Sequence, residues 1–505
     1  MKKTLRRVLA AIVLSLVAAS GFAQAKPSLN VGIPGDAKSL DPHQATDTMS
    51  FTVSMQINEP LVTMDGKTKK LVPILAERWE IVDPQTYKFF LKKGVKFHNG
   101  DELTAEDVAF SLKRAATESV HAKSWGKFID PEGFKIIDKY TVIVKTKGPV
   151  GGFLQSMKHP YANIFSKKAV QSAGGEYFRN PVGTGPYTFK KWTKGETIEL
   201  AAFEGYHGKA PAFKTLTFFI LPDDSSRVIA LETKKVDMIY AVPTSDYERL
   251  NSSSKVNVVM GQGLRLLFLG MNTQKKPLSD PRVRLAIEYA INKDAYNQVV
   301  YQGQATVPAG PLVTASEFSA PGAKPYPFDQ AKAKALLAEA GYPNGLTLNL
   351  WTGNFQDRVN GATVIQSMLG QIGVKVNIQV FESASFNTKM LGTEHELYIS
   401  QWGMQTNRDA GNYWTSLFHS ASIGSNNWAL LKDSLIDSEL NTVARVVNDD
   451  ERTAHLQKVW DRLVELNPIV PLSIPFELYG AQKNLVGVEN LSDGQINSLL
   501  NLSKK

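Results

Sequence analysis

The chain has 505 residues, a formal net charge of +9 at pH 7 and no cysteine. That length exceeds one typical hydrophobic core, so two or three domains are expected. The missing cysteine excludes disulfides, thiol nucleophiles, thiolate metal sites and a lipid-modified cysteine, and no basic block outside the N-terminus forms a stripe suited to nucleic-acid phosphates.

The N-terminus reads as a signal peptide over residues 1–25. Lys2, Lys3, Arg6 and Arg7 precede the apolar run VLAAIVLSLVAAS, and GFAQA ends in small residues at Ala23 and Ala25, a cleavage pattern before Lys26. The run is short for a membrane anchor, which is the alternative, and no later apolar stretch is long enough to span a bilayer. An exported, periplasmic protein without a lipid anchor is expected. SLNVGIP then reads as a strand and GDAKSLDPH as a turn. Residues 49–62, MSFTVSMQINEPLV, carry helical spacing that must stop before Pro60. WEIVDPQTYKFFLKKGVKF reads as a hairpin around a DP turn, with Tyr87, Phe89 and Leu91 on one face. LTAEDVAFSLKRA predicts a helix capped by Thr104, with Asp107 three residues on and Val108 and Leu112 on a common face. FKIIDKY and TVIVKTK form a second hairpin-like pair.

From NPVGTGPYTFKKWTKGETIELAAF a turn, a strand, a Lys194–Gly195 turn and a further strand are expected. KTLTFFIL is a strand, and SSRVIALETKKVDMIYAV a helix followed by a strand. A boundary is expected near residues 263–273, where GLRLLFLGMN leaves as a strand and DPRVRLAIEYAI begins a helix with Pro281 placed early. Arg282 and Arg284 in its first turn are read as salt-bridging residues that lock the helix to its domain, with an anion site as the other reading. Residues 302–328 form a long Pro- and Gly-rich loop wrapped on a neighbouring domain. DQAKAKALLAEAG is a helix stopped at Gly341. Strand, helix, strand, helix, strand then follow through LYISQWG, which argues for an α/β domain over 266 to about 475. Residues 433–466 read as helical, and NPIVPLSIPFELYGAQ as a strand interrupted by prolines.

Catalytic constellations are missing. The eight histidines make no HxH or HExxH spacing, GTGP at 183–186 is a turn and no phosphate loop, and no GxSxG elbow occurs. Structural or surface roles are expected for the histidines. The stretch YISQWGMQTNRDAGNYWTSLF, residues 398–418, stands apart because it gathers Trp402, Tyr413 and Trp414 around Gln405, Asn407, Arg408 and Asp409. It is too ring-rich for an ordinary loop and raises the question of a ligand.

SLDPHQATD (39–47), NEPLV (58–62), KGVKFHNGDELTAEDV within 71–114, NPVGTGPYTFKKW (180–192), LETKKVDMIYAVP (231–243) and PLSDPRVRLAIEYAINKD (277–294) together resemble the extracellular solute-binding proteins of family 5. These are the periplasmic dipeptide-, oligopeptide-, glutathione- and nickel-binding proteins that feed ABC transporters. The resemblance spans almost the whole mature chain. It implies a periplasmic binding protein-like α/β clamshell of type II (cluster C-like) with an additional small domain. The first lobe would comprise 26–50, 181–265 and 476–505, the added α+β domain 51–180, and the second lobe 266–475. Two strands near 263–272 and 468–478 would cross between the lobes as a hinge. The implied function is that of an ABC importer's substrate-binding component, not an enzyme. It would be a monomer without cofactor, capturing a peptide or small polar solute and delivering it to permease subunits in the inner membrane. A secreted peptide hydrolase and a binder of a glutathione-like compound or metal chelate remain alternatives.

The resemblance also assigns the site. Trp402 matches the family's tryptophan, and Gly403 and Met404 its backbone-pairing positions. Gln405 stands where peptide-binding relatives place the aspartate that receives the ligand's ammonium. Asp409, four residues on, is the candidate replacement. Arg358 and Arg408 are the candidates for a ligand carboxylate, with Asn407 completing the set. For Arg358 the competing reading is neutralisation by Asp357; for Arg408 it is a solvent-exposed rim.

Overall fold

The structure, a computed structural model, describes residues 27–65, 70–123, 125–404, 408–493 and 498–505. The signal-peptide expectation therefore lies outside the described residues. None of the described helices is long and apolar enough to cross a membrane.

A seven-stranded sheet is built around the N-terminal strand Ser28–Ile33. It lies between Thr215–Ile220 and Met238–Tyr240 and runs parallel to both. Thr197–Ala202 and Tyr187–Thr193 extend one side as an antiparallel hairpin, and Glu477–Gln482 and Val256–Gly261 complete the other. The Lys194–Gly195 turn closes that hairpin, with Gly195 at φ 77°, a conformation glycine adopts without a Cβ clash. The helix Thr48–Ile57 packs Val53 and Ile57 into this core. Asp47 caps its start by accepting from the Ser50 N–H, and it ends three residues before Pro60.

A four-stranded antiparallel sheet, Ala76–Asp83, Thr86–Leu91, Thr141–Lys145 and Lys135–Asp138, forms a separate layer. Its hairpin turns at Asp83–Pro84–Gln85, and Tyr87, Phe89 and Leu91 are buried together as their alternation required. The helix Ala105–Thr117 covers them with Val108 and Leu112. Both the backbone N–H and the hydroxyl of Thr104 donate to Asp107, which fixes where the helix begins.

The third sheet has six strands in the order Ala305–Thr306, Ile469–Pro475, Arg265–Met271, Leu397–Gly403, Leu346–Gly353, Val374–Phe381. Leu266 and Phe268 face one buried layer, and Leu267, Leu269 and Met271 face another. Burial on both faces explains why LLFLGM is apolar without alternation. The chain passes twice between this sheet and the seven-stranded one: from Gly261 to Arg265, and from Pro475 to Glu477.

Some elements depart from expectation. Residues 433–466 are two helices, Ser434–Val443 and Asp449–Leu466, the second started by the Asn448 side chain accepting from the Glu451 N–H. Beyond Ala305–Thr306, loop 302–328 has no regular strand or helix, yet it buries Leu312, Val313 and Phe318 in the core of the six-stranded sheet. Arg282 pairs with Asp280 as a salt-bridging residue. Arg284 does not: it is buried and donates to the carbonyls of Leu278, Leu466 and Asn467. These last two lie at a helix C-terminus, where carbonyls lack intrahelical donors and attract a cation. Burial pushes the Arg284 guanidinium down to about 10.

His98 joins the four-stranded layer to the turn before Tyr187–Thr193. Its Nδ1 accepts from the Gly183 N–H at 3.2 Å, and its Nε2–H donates to the Gly185 carbonyl at 2.9 Å. That bonding requires the neutral ring, and burial pushes its pKa from 6.5 down to about 4. The folded state thus disfavours the proton, so stability is complete above pH 6.5 and falls as pH drops towards 4. The contribution reaches about 3 kcal/mol. His43 and His159, also buried with lowered pKa values, act in the same direction. Urea unfolding of wild type between pH 7 and 4 is expected to show this loss. His98→Asn should give a shallower dependence, and an identical slope would remove His98 from the account.

Candidate functional site

Leu397–Gly403 and Leu346–Gly353 run parallel but pair only from Leu350–Leu397 to Thr352–Ile399. Past that point the carboxyl ends border a cavity of about 610 Å³. The space outside the carboxyl ends of parallel strands is where open α/β sheets bind ligands. Phe355 and Arg358 come from the start of helix Gln356–Gly370, Phe386 from helix Ser383–Lys389, Gln401 and Trp402 from the strand, and Trp428 from the following loop. The structure thus brings together Trp402 and Arg358, two expected residues 44 positions apart in the sequence.

The backbone of the strand is divided between two edges. The Met404 N–H donates to the Leu264 carbonyl at 2.7 Å, in register with the Gly403–Arg265 pair. In an antiparallel ladder, residues alternately turn their backbone groups towards and away from the partner. The N–H and carbonyl of Trp402 therefore face Arg265–Met271, whereas those of Gln401 and Gly403 face the open edge beside the cavity. Of the two expected backbone-pairing positions, Gly403 keeps its groups on that edge. Met404 commits its N–H to Leu264 and buries its side chain.

Arg358 is the charged feature of the cavity. No carboxylate of the described residues pairs with its guanidinium, its Nε is shielded from solvent without a hydrogen-bond partner, and the group rests 4.3 Å over the Phe355 ring. Asp357 does not neutralise it through an ion pair. One Asp357 oxygen accepts from the backbone N–H of Arg358 at 2.9 Å, and the other from the Tyr301 hydroxyl at 3.1 Å. Burial, the largest cause, lowers the Arg358 pKa; the negative charge of nearby Asp357 opposes that shift, and the positive charge of Arg265 adds to it. Arg265 opposes Gly403 in the ladder and makes a long 3.7 Å contact with Glu477. Sequence reasoning did not single out Arg265, Gln401 or Phe355. For Gln401 the one signal was a second polar residue, next to Ser400, inside the strand segment YISQW.

Gln405 and Asn407 fall outside the described residues, and Arg408 and Asp409 do not line this cavity. Arg408 is not on a solvent-exposed rim: only 7% of it is exposed, and its carbonyl accepts from the Glu317 N–H and the Ser316 hydroxyl. Asp409 caps helix Ala410–Phe418 by accepting from the Asn412 N–H at 2.7 Å, and its second oxygen lies 2.5 Å from Arg452 Nη2. Both partners of that pair are buried, with Gly152 packed against them. A carboxylate so committed has little left to offer an incoming ammonium. Tyr413 and Trp414 fill the core, and the Trp414 indole donates to the Pro311 carbonyl. His395 is buried with Nε2–H donating to the Trp428 carbonyl, and His419 lies 3.6 Å from Asp437. No group of three or more His, Asp or Glu among the described residues could hold a metal ion. A second cavity of about 490 Å³ lies at the seam between the four-stranded layer and helix Asp449–Leu466, bounded by Trp79, Phe153, Phe318 and Arg452. The Lys158–Glu317 ion pair ties the two sides of that seam together.

Two mixed sheets joined by a double crossing, with a cavity at the strand ends of one, define a type II periplasmic binding fold. Residues 70–425 match the family described as bacterial extracellular solute-binding proteins, family 5. The chain is 30% identical over 498 residues to the glutathione-binding protein GsiB of Pectobacterium atrosepticum, covering 97% of this chain and 96% of the relative. It superposes on HbpA2 of Haemophilus parasuis with a TM-score of 0.87 at 27% identity, covering 95% and 100% of the two chains. For the periplasmic binding protein DppA of Helicobacter pylori in complex with the peptide STSA, the values are 0.75, 28%, 94% and 98%. The chain belongs to the family 5 solute-binding proteins and is the substrate-binding component of an ABC importer.

The Asp409–Arg452 pair yields a direct test. Asp409→Asn leaves a buried guanidinium without its partner, and thermal melting should register a loss of about 3–5 kcal/mol. Ligand affinity of the folded variant should be unchanged. An unaltered melting temperature with weakened binding would return Asp409 to the ligand site.

Proposed function

We propose that this chain captures a peptide-like solute bearing a free carboxylate, holds it between two lobes without turning it over, and presents it to the importer's permease as a monomer. The observation that carries the reading is the unpaired Arg358 guanidinium in the cavity beside Trp402. A partly buried guanidinium without an ion-pair partner is unfavourable, and a carboxylate supplies both the charge and the planar bidentate geometry. The open-edge backbone groups of Gln401 and Gly403 offer a peptide the pairing it would make with a neighbouring strand.

We further propose the lobe division read from the sequence, with helix Thr48–Ile57 kept in the first lobe because it packs on the seven-stranded sheet. The crossings at 262–264 and at Phe476 serve as the hinge. Closure about them is driven by ligand contacts made to both lobes at once. Export through a signal peptide over residues 1–25 completes the reading. With Gln405 in place of an acid and Asp409 committed to Arg452, no carboxylate among the described residues of the cavity stands ready for the ligand's amino end, which favours a ligand without a buried free ammonium there. The names of relatives make glutathione the first compound to try.

Mass spectrometry of ligand released from protein purified without refolding is expected to return a carboxylate-bearing, peptide-like compound. In titration calorimetry with that compound, Arg358→Met should weaken binding by roughly 2–5 kcal/mol. Unchanged affinity, or turnover of the compound on incubation, would overturn the reading. Trp402 is half-buried in this structure. Ligand addition should change tryptophan emission in wild type and change it less in Trp402→Phe.

A further inference from the structure

Gln401 lines the same cavity as Arg358, and its amide oxygen is shielded from solvent and accepts no hydrogen bond from the described residues. The cavity therefore holds two unmet groups that do not satisfy each other: a charged donor on Arg358 and a neutral acceptor on Gln401. Leaving either unpaired is unfavourable, and the second calls for a donor just as the first calls for an anion.

We infer that Gln401 is a specificity-determining residue that accepts a hydrogen bond from the amide N–H next to the ligand's carboxylate, so that the site selects the terminal residue of an acylated amino acid or peptide. This rests on the reading that Arg358 holds the carboxylate.

The chemistry separates this ligand class from its neighbours. A free amino acid would bring an ammonium, yet no Asp or Glu among the described residues lines the cavity, and one neutral amide is a poor partner for a desolvated cation. The nearby acid, Asp357, has its oxygens engaged by Tyr301 and by the Arg358 N–H. A simple dicarboxylate would satisfy Arg358 but carries no N–H for Gln401. An amide N–H one carbon from a carboxylate meets both demands within a single residue. The side chain of that residue then has the cavity wall of Phe386 and Trp428 to pack against, with Ser400 and Asn426 for polar contacts. Gln401 presents its side chain and its backbone to the ligand together, because its backbone groups lie on the open edge of the strand.

Titration calorimetry on the full-length mature protein tests this with glutathione and the dipeptide Ala-Phe. Each is compared with the analogue in which the last amide N–H is replaced by an ester oxygen. Wild type should bind each bound peptide about tenfold more tightly than its ester, the size expected of one neutral hydrogen bond in a desolvated site. Gln401→Leu should bring peptide and ester to equal affinity. Arg358→Met should weaken both and leave their ratio intact. A ratio near one in wild type, or a ratio that survives Gln401→Leu, overturns the role of Gln401 while leaving the carboxylate site standing. Should binding of neither peptide depend on Arg358, the carboxylate reading falls and this inference with it.

Discussion

The rest of the structure depends on the pairing of strand Arg265–Met271 with Leu397–Gly403 on one side and Ile469–Pro475 on the other. Two of these three strands lie next to the points where the chain enters or leaves the seven-stranded sheet. The third ends at the cavity. One ladder of backbone hydrogen bonds therefore sets both the connection between the two large sheets and the placement of Trp402, Gly403 and Gln401. Its register is strictly specified, because alternate residues enter two different buried cores and a shift by one would exchange them.

The ladder also decides which backbone groups a ligand meets. Leu397–Gly403 pairs with Arg265–Met271 along its whole length but with Leu346–Gly353 for only three residues. The unpaired remainder is an exposed strand edge, ordinarily an aggregation hazard. Here it is short and recessed beside a cavity walled by aromatic rings, which converts a liability into a place for an extended ligand.

Charged side chains with similar chemistry meet different fates by position. Arg284 and Arg452 are nearly as inaccessible as any apolar residue, and each is satisfied internally, by helix-terminal carbonyls or by Asp409. Arg358 is less buried but lacks an acidic partner, although Asp357 is its immediate neighbour in sequence. The Tyr301 hydroxyl draws that carboxylate away, and the start of the helix holds it there. Adjacency along the chain thus misleads about pairing, since neighbouring side chains on a helix do not face each other.

Much of the architecture was legible from sequence because it rests on local physics. The Thr104–Asp107 cap, the DP turn between two alternating strands, the proline stop after Ile57 and the family motifs are all short-range signals. Helix Ala410–Phe418 was missed: its rings suggested a ligand, whereas Tyr413 and Trp414 serve the core and Asp409 serves as the helix cap. The same limit applies to Arg284, whose partners lie at positions 466 and 467 in a helix far along the chain. What the sequence by itself determined is the family, most of the strands and helices, and Trp402 and Arg358 as residues to watch. Only the tertiary structure decided that these two share a cavity, that Gln401 joins them, and that Asp409 is already paired. Those outcomes depend on strand register and on which side chains meet across a sheet edge, and such long-range coincidences leave no local pattern to read.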